Sequence, residues 1–305
     1  MKVSVIIPTH NRPQGLIQAV NSVISQEKKP DEIIIIDDAS SVRVSELLKK
    51  SSLASRLGEE TKLIVERFEF SKGGNVARNR GASLASGDIL MFLDDDDTWE
   101  ISKVKDQVNI FCNYPDVGLV YSGRLVVSDQ DRETVLYRIS PKHEGLLYPK
   151  ILYSNLIGTT SSVALRKQVF EQVGGFDENL PACQDYDLWI RCCENTLVKY
   201  DKNYNIKYTI SEQSKTQISN QAERHLKAVN LLLEKYQDKI FQQTKWEQRK
   251  VYASRFFAIA KARRNESLLM ALPWLVRSFF QFPSLKTIGL IFPKFITQPI
   301  MKRLN

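Results

Sequence analysis

An α/β fold, with a doubly wound, mainly parallel sheet and a C-terminal helical extension, is predicted from three observations. Short, largely apolar runs, Val3–Ile7, Ile33–Ile36 and Ile89–Leu93, alternate with stretches at helical spacing. Two of these runs stop abruptly at carboxylates, Asp37-Asp38 and Asp94-Asp95-Asp96-Asp97. Beyond about residue 216 the alternation gives way to amphipathic, strongly basic segments. The chain of 305 residues is 43% hydrophobic and 26% charged, the composition of a globular protein with one large or two ordinary domains.

Val3–Ile7 reads as a strand buried on both faces, ended by the turn Pro8-Thr9-His10-Asn11-Arg12-Pro13. Residues 14–26 place Leu16, Ile17, Val20, Val23 and Ile24 at helical spacing. Ile33–Ile36 is the next buried strand and closes on Asp37-Asp38-Ala39-Ser40. Helix is expected over 44–57, a short strand over 63–65, and a helix over 75–85 stopped by Gly87. Parallel strands with helical crossovers put the carboxylate-bearing ends on one edge of the sheet, where open α/β sheets bind ligands. Further on, helix is expected over 102–113 and strands over 117–121, 125–128 and 158–165, the last leading into a helix over 167–173.

The stretch Ile89–Trp99 organises the rest. In extended chain alternate side chains share a face, so Asp94 and Asp96 project together while Asp95 and Asp97 point away or turn into the following loop. Like charges this close repel and raise one another's pKa unless a cation or hydrogen-bond donors offset them. An oxygen-only ligand set with no His or Cys beside it suits Mg²⁺ or Mn²⁺, ions that take their remaining ligands from water and phosphate. The competing reading is a solvated acidic loop. Asp185, just before Leu188, Trp189 and Cys192, sits at the N-cap or in the first turn of an amphipathic helix; it is either a capping carboxylate or a general base held ionised by the helix dipole. Trp99 is most simply a packing residue. Lys72-Gly73-Gly74 matches no complete phosphate-loop pattern, and His143 and His225 read as ordinary surface.

The four cysteines, Cys112, Cys183, Cys192 and Cys193, form no C-x-x-C pair, which excludes a zinc-finger or disulfide framework and fits a reducing compartment. Lys2 before the short, mostly apolar run Val3–Ile7 is a strand start and not a secretory signal, and no 18 apolar residues run together. A cytoplasmic location, peripheral on the inner face of the cell membrane, is the expectation.

VSVIIPTHNRP, IIIIDDAS, ARNRGASLASGDILMFLDDDD, VGGFDENL and QDYDLW, in this order over residues 3 to 190, resemble the catalytic domain of glycosyltransferase family 2, inverting enzymes of the GT-A fold. The resemblance covers about two-thirds of the chain and is of the bacterial type that builds cell-surface polysaccharide. It implies a hexosyltransferase-type enzyme that takes a nucleotide-diphospho-sugar, with UDP-sugars favoured, and passes the sugar to a saccharide or lipid-linked saccharide hydroxyl. It implies donor binding by Pro8, Thr9, His10, Asp38, Asn75, Arg78, Asp94 and Asp95, with Asn79 in the same A-R-N segment. It further implies Asp96 as the ligand of Mn²⁺ or Mg²⁺ and Asp185 as the base; Asp95 and Asp97 compete for register within the run. Gln184 stands where the family usually has Glu, which leaves a supporting role of that position open. Asp37 is expected to support its loop, and Asp187 to be structural. The implied division is a catalytic domain over 1–215, its nucleotide half about 1–100 and its acceptor half about 101–215, followed by a tail over 216–305.

In that tail Leu226, Val229, Leu233, Tyr236 and Ile240 mark one amphipathic helix, and Trp246, Ala253, Phe256, Phe257 and Ala260 another. Residues 245–305 carry twelve Lys and Arg against Glu247 and Glu266, an excess greater than the whole chain's net charge of +8. Interleaved with Trp274, Phe279, Phe280, Phe282, Phe292 and Phe295 and broken by prolines, these cations fit helices in an anionic membrane interface. The alternative is that the apolar faces pack on the catalytic domain. The tail has no recognised nucleic-acid module, so nucleic acid is not an expected partner. Two rival classes remain: a sugar nucleotidyltransferase, for which a glycine-rich N-terminal triphosphate loop is lacking, and a non-catalytic nucleotide-sugar or membrane-surface binding protein of the same fold.

Overall fold

The computed structural model describes residues 1–51, 53–210 and 221–292. The expected boundary at 215/216 and the tail residues Lys294, Phe295, Lys302 and Arg303 lie outside them. The chain divides into two compact units. One comprises Met1–Leu147, Leu156–Glu178 and Leu188–Ile210; the other comprises Tyr148–Asn155, Asn179–Asp187 and Ser211–Asn305.

In the first unit β1 (Val3–Thr9), α1 (Pro13–Ile24), β2 (Glu32–Asp37), α2 (Val44–Lys50), α3 (Leu53–Arg56), β3 (Lys62–Arg67), α4 (Gly74–Leu84) and β4 (Ile89–Phe92) follow in turn. After them come β5 (Thr98–Trp99), α5 (Lys103–Asn113), β6 (Val117–Tyr121), β7 (Arg124–Ser128), β8 (Val135–Ile139), β9 (Val163–Arg166), α6 (Lys167–Gln172), α7 (Gln184–Asn195), β10 (Leu197–Tyr200) and β11 (Ile206–Ile210). Residues Gln184–Asp187 of α7 belong to the second unit. Seven strands form the main sheet in the order β10-β6-β9-β4-β1-β2-β3, and β5-β11-β7-β8 form a smaller one.

Every residue of β1, β2 and β4 is buried, which is why these strands read as largely apolar runs. The β3 strand lies at the sheet edge and alternates in exposure. Pairing is parallel for β1 with β2 and β4, for β2 with β3 and for β6 with β10; β9 enters antiparallel between β4 and β6. It is shorter than the expected 158–165 because Thr160–Ser162 forms a 3-10 turn. The helix expected over 44–57 is two helices, α2 and α3. The helix expected to stop at Gly87 ends at Leu84, where Ala85 is already extended. The larger core cluster packs α1 (Leu16, Val20, Val23) and α5 (Val104, Val108, Phe111) on β1, β2 and β4. Phe92, Phe170 and Phe176 form an aromatic cluster with centroids 5.2–5.9 Å apart.

The second unit contains α8 (Ala222–Lys235), α9 (Gln237–Phe241), α10 (Lys245–Arg264), α11 (Leu268–Gln281) and α12 (Leu285–Gly289). The single helix expected through Ile240 is interrupted at Tyr236, which caps α8 and opens α9. Thr244 and Glu247 form a reciprocal capping box on α10, and the Ser267 hydroxyl accepts from the Met270 N–H to start α11. Small residues let α10 and α11 approach: Ala260, Ala271 and Leu275 share an apolar seam, and the Ser278 hydroxyl donates to the Ala253 carbonyl at 2.8 Å.

Lys103 is fully buried in the first unit, where its ammonium donates to Gln107 Oε1 and the Ser162 carbonyl and lies 5.1 Å from the Trp99 ring centroid. Burial pushes its pKa down to about 7, with Asp201 and Asp106 opposing the shift. The unfolded chain binds the proton up to pH 10.5, so between pH 7 and 10.5 it holds more protons than the native state there. Stability from this residue therefore rises with pH across that window and is flat outside it. Urea unfolding at pH 7 and pH 10 checks this: Lys103→Met is expected to abolish that part of the rise.

Candidate active site

The C-terminal ends of β1, β2 and β4 are adjacent in the sheet, and the polar residues that follow them interlock. From β1, the Thr9 hydroxyl donates to Asp95 Oδ2 at 2.7 Å. The backbone then turns through Asn11, whose φ of +55° is left-handed, and the Asn11 side-chain oxygen accepts from the Ser41 N–H and hydroxyl. His10 Nδ1 lies 2.5 Å from the Asp38 carbonyl, and the Asp38 N–H donates to the Thr9 carbonyl, so the β1 and β2 loops hold each other.

Asp37 and Asp38 do different work. The first accepts from Arg67 at 2.6 Å and from the Ser40 N–H at 2.8 Å, closing its own turn. Asp38 reaches the next loop: Oδ1 accepts from the Lys72 N–H, and Oδ2 from the Ser71 hydroxyl and the Gly73 N–H. A carboxylate offers about four acceptor positions, so one remains for an incoming donor. The Lys72-Gly73 segment is thus a fixed cover over Asp38; Gly73 has a φ of +90°.

After β4 the four aspartates form a turn in which the Asp97 N–H donates to the Asp94 carbonyl. Asp95 and Asp97 are buried while Asp94 and Asp96 are half-buried, so the twofold alternation expected of the sequence persists through the turn. Asp95 is held from two sides, by Thr9 and by the Arg12 guanidinium at 3.0 Å. Arg12 also reaches Asp96 Oδ2 at 2.6 Å, and Arg78 on α4 reaches Asp94 Oδ1 at 2.5 Å. Arg78 is itself buried, with its guanidinium 5.5 Å from the Phe176 ring centroid. Gly15 makes the approach of α1 possible, because a Cβ there would lie 2.3 Å from the Asp95 carbonyl oxygen.

Burial raises the pKa of Asp95 to about 6 against the pull of Arg12. Asp96 is raised by burial and by Asp94, again opposed by Arg12; Asp97 is raised well above the usual range by burial and by Asp96 and Asp94. Asp97 Oδ1 accepts from the Thr209 N–H and the Ser161 hydroxyl partly offsets the upward shift, while Oδ2 is buried with no well-formed hydrogen bond. One carboxylate oxygen each from Asp94, Asp96 and Asp97 lies within 4.8 Å of the others. An all-oxygen set containing a buried carboxylate oxygen that lacks a well-formed hydrogen bond fits a hard divalent cation. Asp97 was indicated in sequence only as a competitor for register, since periodicity alone sends it away from the Asp94 and Asp96 face.

Asn75 and Asn79, also on α4, fasten the loop at 174–178. Asn79 bonds both the N–H and the carbonyl of Phe176 and donates to Glu178, and Asn75 donates to the Asp177 carbonyl. Gly175 (φ +69°) permits this, since a Cβ there would crowd Asn79 Oδ1 at 2.8 Å. Trp99 is buried with its indole N–H on the Ser161 carbonyl. Pro8, Thr9, His10, Arg12, Asp38, Arg78 and the aspartate turn therefore come together along one edge of the first unit's sheet.

Asp185 lies in the second unit, in the first turn of α7, where its Oδ1 accepts from the Tyr186 N–H. The same turn is clamped from its own unit. The Tyr186 hydroxyl bonds the Ile151 and Leu152 carbonyls and is bonded by the buried Arg255 of α10, which stacks 4.4 Å from the Tyr186 ring centroid. The fully buried Asp187 accepts from the Tyr236 hydroxyl at 2.8 Å and pairs with Lys235 at 2.9 Å. His225, expected as ordinary surface, sits 3.7 Å from Cys183 Sγ; His143 is exposed.

These contacts build an acidic sheet edge closed by arginines, and comparison with known proteins places the chain. Residues 4–174 match the family model for glycosyl transferase family 2. The chain belongs to glycosyl transferase family 2. It is 26% identical over 236 residues to an uncharacterized glycosyltransferase of Haemophilus influenzae, covering 77% of this chain and 76% of that one. It is 26% identical over 242 residues to the uncharacterized glycosyltransferase YwdF of Bacillus subtilis, covering 77% and 84%. Among solved structures, TarS 1–349 of S. aureus in complex with UDP-GlcNAc matches with a TM-score of 0.54 at 17% identity over 95% of this chain and 90% of that one. The longer TarS chain is spanned over 54% of its length. The mannosyltransferase PcManGT of Pyrobaculum calidifontis, in complex with GDP-Man and Mn²⁺, matches with a TM-score of 0.59 at 16% identity over 99% and 84%. The GT-A fold expected of the sequence is thereby shown, and the site lies where its sheet edge is acidic.

Loss of the Thr9 hydroxyl leaves Asp95 buried with one partner fewer. Thr9→Val is therefore expected to cost about 1–3 kcal/mol of stability, read by chemical denaturation at pH 7.

Proposed function

We propose that the protein is an inverting glycosyltransferase that moves a sugar from a nucleotide-diphospho-sugar, a UDP-sugar by preference, to a hydroxyl of a saccharide or lipid-linked saccharide. The single observation that carries this is the meeting of Asp38, Arg78 and the aspartate turn along one sheet edge. A carboxylate with a spare acceptor position at Asp38 suits the imide N–H of uracil, and Pro8, Thr9 and His10 flank it. Arg78 suits phosphate oxygens, and Asn75 with Asn79 holds the loop beside it. Asp94, Asp96 and Asp97 would hold Mn²⁺ or Mg²⁺, with Asp96 as the direct ligand, and Asp95 would act on the donor through Thr9 and Arg12, which it anchors. When bound, such an ion neutralises charge on a leaving diphosphate. The binding of UDP-GlcNAc by TarS and of GDP-Man with Mn²⁺ by PcManGT supports the donor class.

Asp185 is the base in this reading. It would take the acceptor hydroxyl's proton as the oxygen attacks the anomeric carbon, in one displacement that needs no enzyme nucleophile. The N-terminal end of α7 favours its ionised form, and the clamp of Arg255, Tyr236 and Lys235 fixes the turn that carries it. Asp185→Asn is expected to lower kcat for transfer about 10²–10⁴-fold while leaving the nucleotide-induced thermal shift unchanged. Unchanged turnover would remove Asp185 from this role. A thermal-shift panel of UDP-, GDP- and dTDP-sugars, with and without Mn²⁺, identifies the donor.

The tail is proposed to lie on an anionic membrane surface, at the inner face of the cell membrane. No helix among the described residues is long and apolar enough to cross one. On α11 Ala271, Leu275 and Ser278 face inward, whereas Leu269, Leu272, Val276 and Phe280 are exposed at i, i+3, i+7 and i+11, one continuous apolar stripe. From Leu268 to Phe292 the only charges are Arg277 and Lys286. Some cations expected at the membrane are used internally instead: Arg255 binds Tyr186, and Arg263 pairs with Glu223 and Glu266. Flotation with phosphatidylglycerol vesicles is expected to carry the protein, and the pair Leu269→Glu and Phe280→Glu to abolish it; vesicles of phosphatidylcholine alone should carry little.

A further inference from the structure

Arg12 is a residue to which the sequence motifs give no role, yet its guanidinium contacts two carboxylates of the aspartate turn. Its Nη1 lies 3.0 Å from Asp95 Oδ1 and 2.6 Å from Asp96 Oδ2, so one nitrogen bridges two carboxylates. Asp96 is at the same time a member of the Asp94, Asp96 and Asp97 group that fits a divalent cation. The two arginines of the turn are differently placed. Arg78 is packed beneath Phe176 with its side chain 9% exposed, whereas the Arg12 side chain is 38% exposed. Arg12 occupies the N-cap position of α1 without making a capping bond, and α1 has no acidic residue in its first turn. The backbone of this corner is fixed by Gly15 against Asp95 and by Asn11 against Ser41, so the side chain can leave without the loop unfolding.

We propose that Arg12 is the built-in counter-cation of the aspartate turn: it keeps Asp95 and Asp96 in place before a divalent ion arrives, and it competes with that ion for Asp96. Two cations on neighbouring oxygens of one small cluster repel each other, the more so in a half-buried site. An ion at Asp96 therefore displaces the guanidinium, whose planar fork fits a diphosphate. With a nucleoside diphosphate present the displaced arginine has a new anionic partner, so ion and nucleotide bind with positive coupling, and each raises the affinity of the other by the same factor. Arg12 thus has two alternative anionic partners. It holds the turn in one state and contacts the donor in the other.

The test is direct titration of Mn²⁺ into the full chain, by calorimetry or by loss of the free-ion paramagnetic signal, with and without UDP. Arg12→Gln is expected to bind Mn²⁺ alone roughly tenfold more tightly than the wild type, and the gain that UDP brings to the wild type is expected to shrink by a like factor. Without metal the variant is expected to melt at a lower temperature, with most of the difference regained on adding Mn²⁺. Should Arg12→Gln fail to fold, Arg12→Met, which keeps the length of the side chain and drops its charge, carries the same expectation. Equal or weaker Mn²⁺ binding by the charge-removed variant overturns the inference and leaves the transferase reading standing. The inference rests on that reading, and absence of Mn²⁺ binding by both proteins, with UDP or without it, overturns the two together.

Discussion

Four consecutive carboxylates at the end of a fully buried strand are the constraint to which the rest of the first unit answers. Left alone they would be protonated or would pull the strand end into water. Instead the end of β1, the N-cap of α1 and the face of α4 each bring something that offsets them: a hydroxyl from Thr9, a guanidinium from Arg12 and another from Arg78. Because these groups come from the β1–α1 corner and from α4, the turn fixes how those elements meet. Gly15 is the steric counterpart of the same arrangement, giving α1 the room to lie against the Asp95 carbonyl.

The offset is incomplete, and that is its chemical value. Asp97 keeps a buried oxygen with no well-formed hydrogen bond, and Asp95, Asp96 and Asp97 all hold protons more tightly than free carboxylates do. A site that holds negative charge under strain is one that a divalent ion relieves. On the neighbouring strand Asp38 shows a milder version of the same design, with its carboxylate ordering the 71–73 loop while retaining an acceptor position.

Much of this was legible in the sequence, and the reasons are physical. Buried parallel strands must be apolar on both faces, so β1, β2 and β4 announced themselves, and the carboxylates that follow β2 and β4 marked the edge. What stayed hidden depended on partners distant in the chain. β9 runs antiparallel between β4 and β6, which no local pattern specifies, and the two-residue β5 and the strands β10 and β11 are too short or too mixed in polarity to stand out. Alternation through Asp94–Asp97 was read correctly as a face pattern, but it could not show that the turn brings Asp97 back among Asp94 and Asp96. Arg12 gave no signal at all, since an arginine in a polar loop reads as solvated until the opposing carboxylates are located. In the tail, amphipathic spacing found the helices but not the break at Tyr236, whose hydroxyl is drawn to Asp187.

That last contact has a consequence for how the polypeptide is made. The segment that starts α7 is closed by Tyr236 and Lys235 at the end of α8 and by Arg255 within α10, while its own residues are synthesised far earlier. During translation the N-terminal sheet strands and their helices can associate as they emerge, but a buried Asp187 has neither its cation nor its hydroxyl until the later helices leave the ribosome. A nascent chain is therefore left with an unfinished turn at Asp185 until synthesis has passed α10, and a chain released prematurely keeps the acidic sheet edge without a completed seat for that carboxylate.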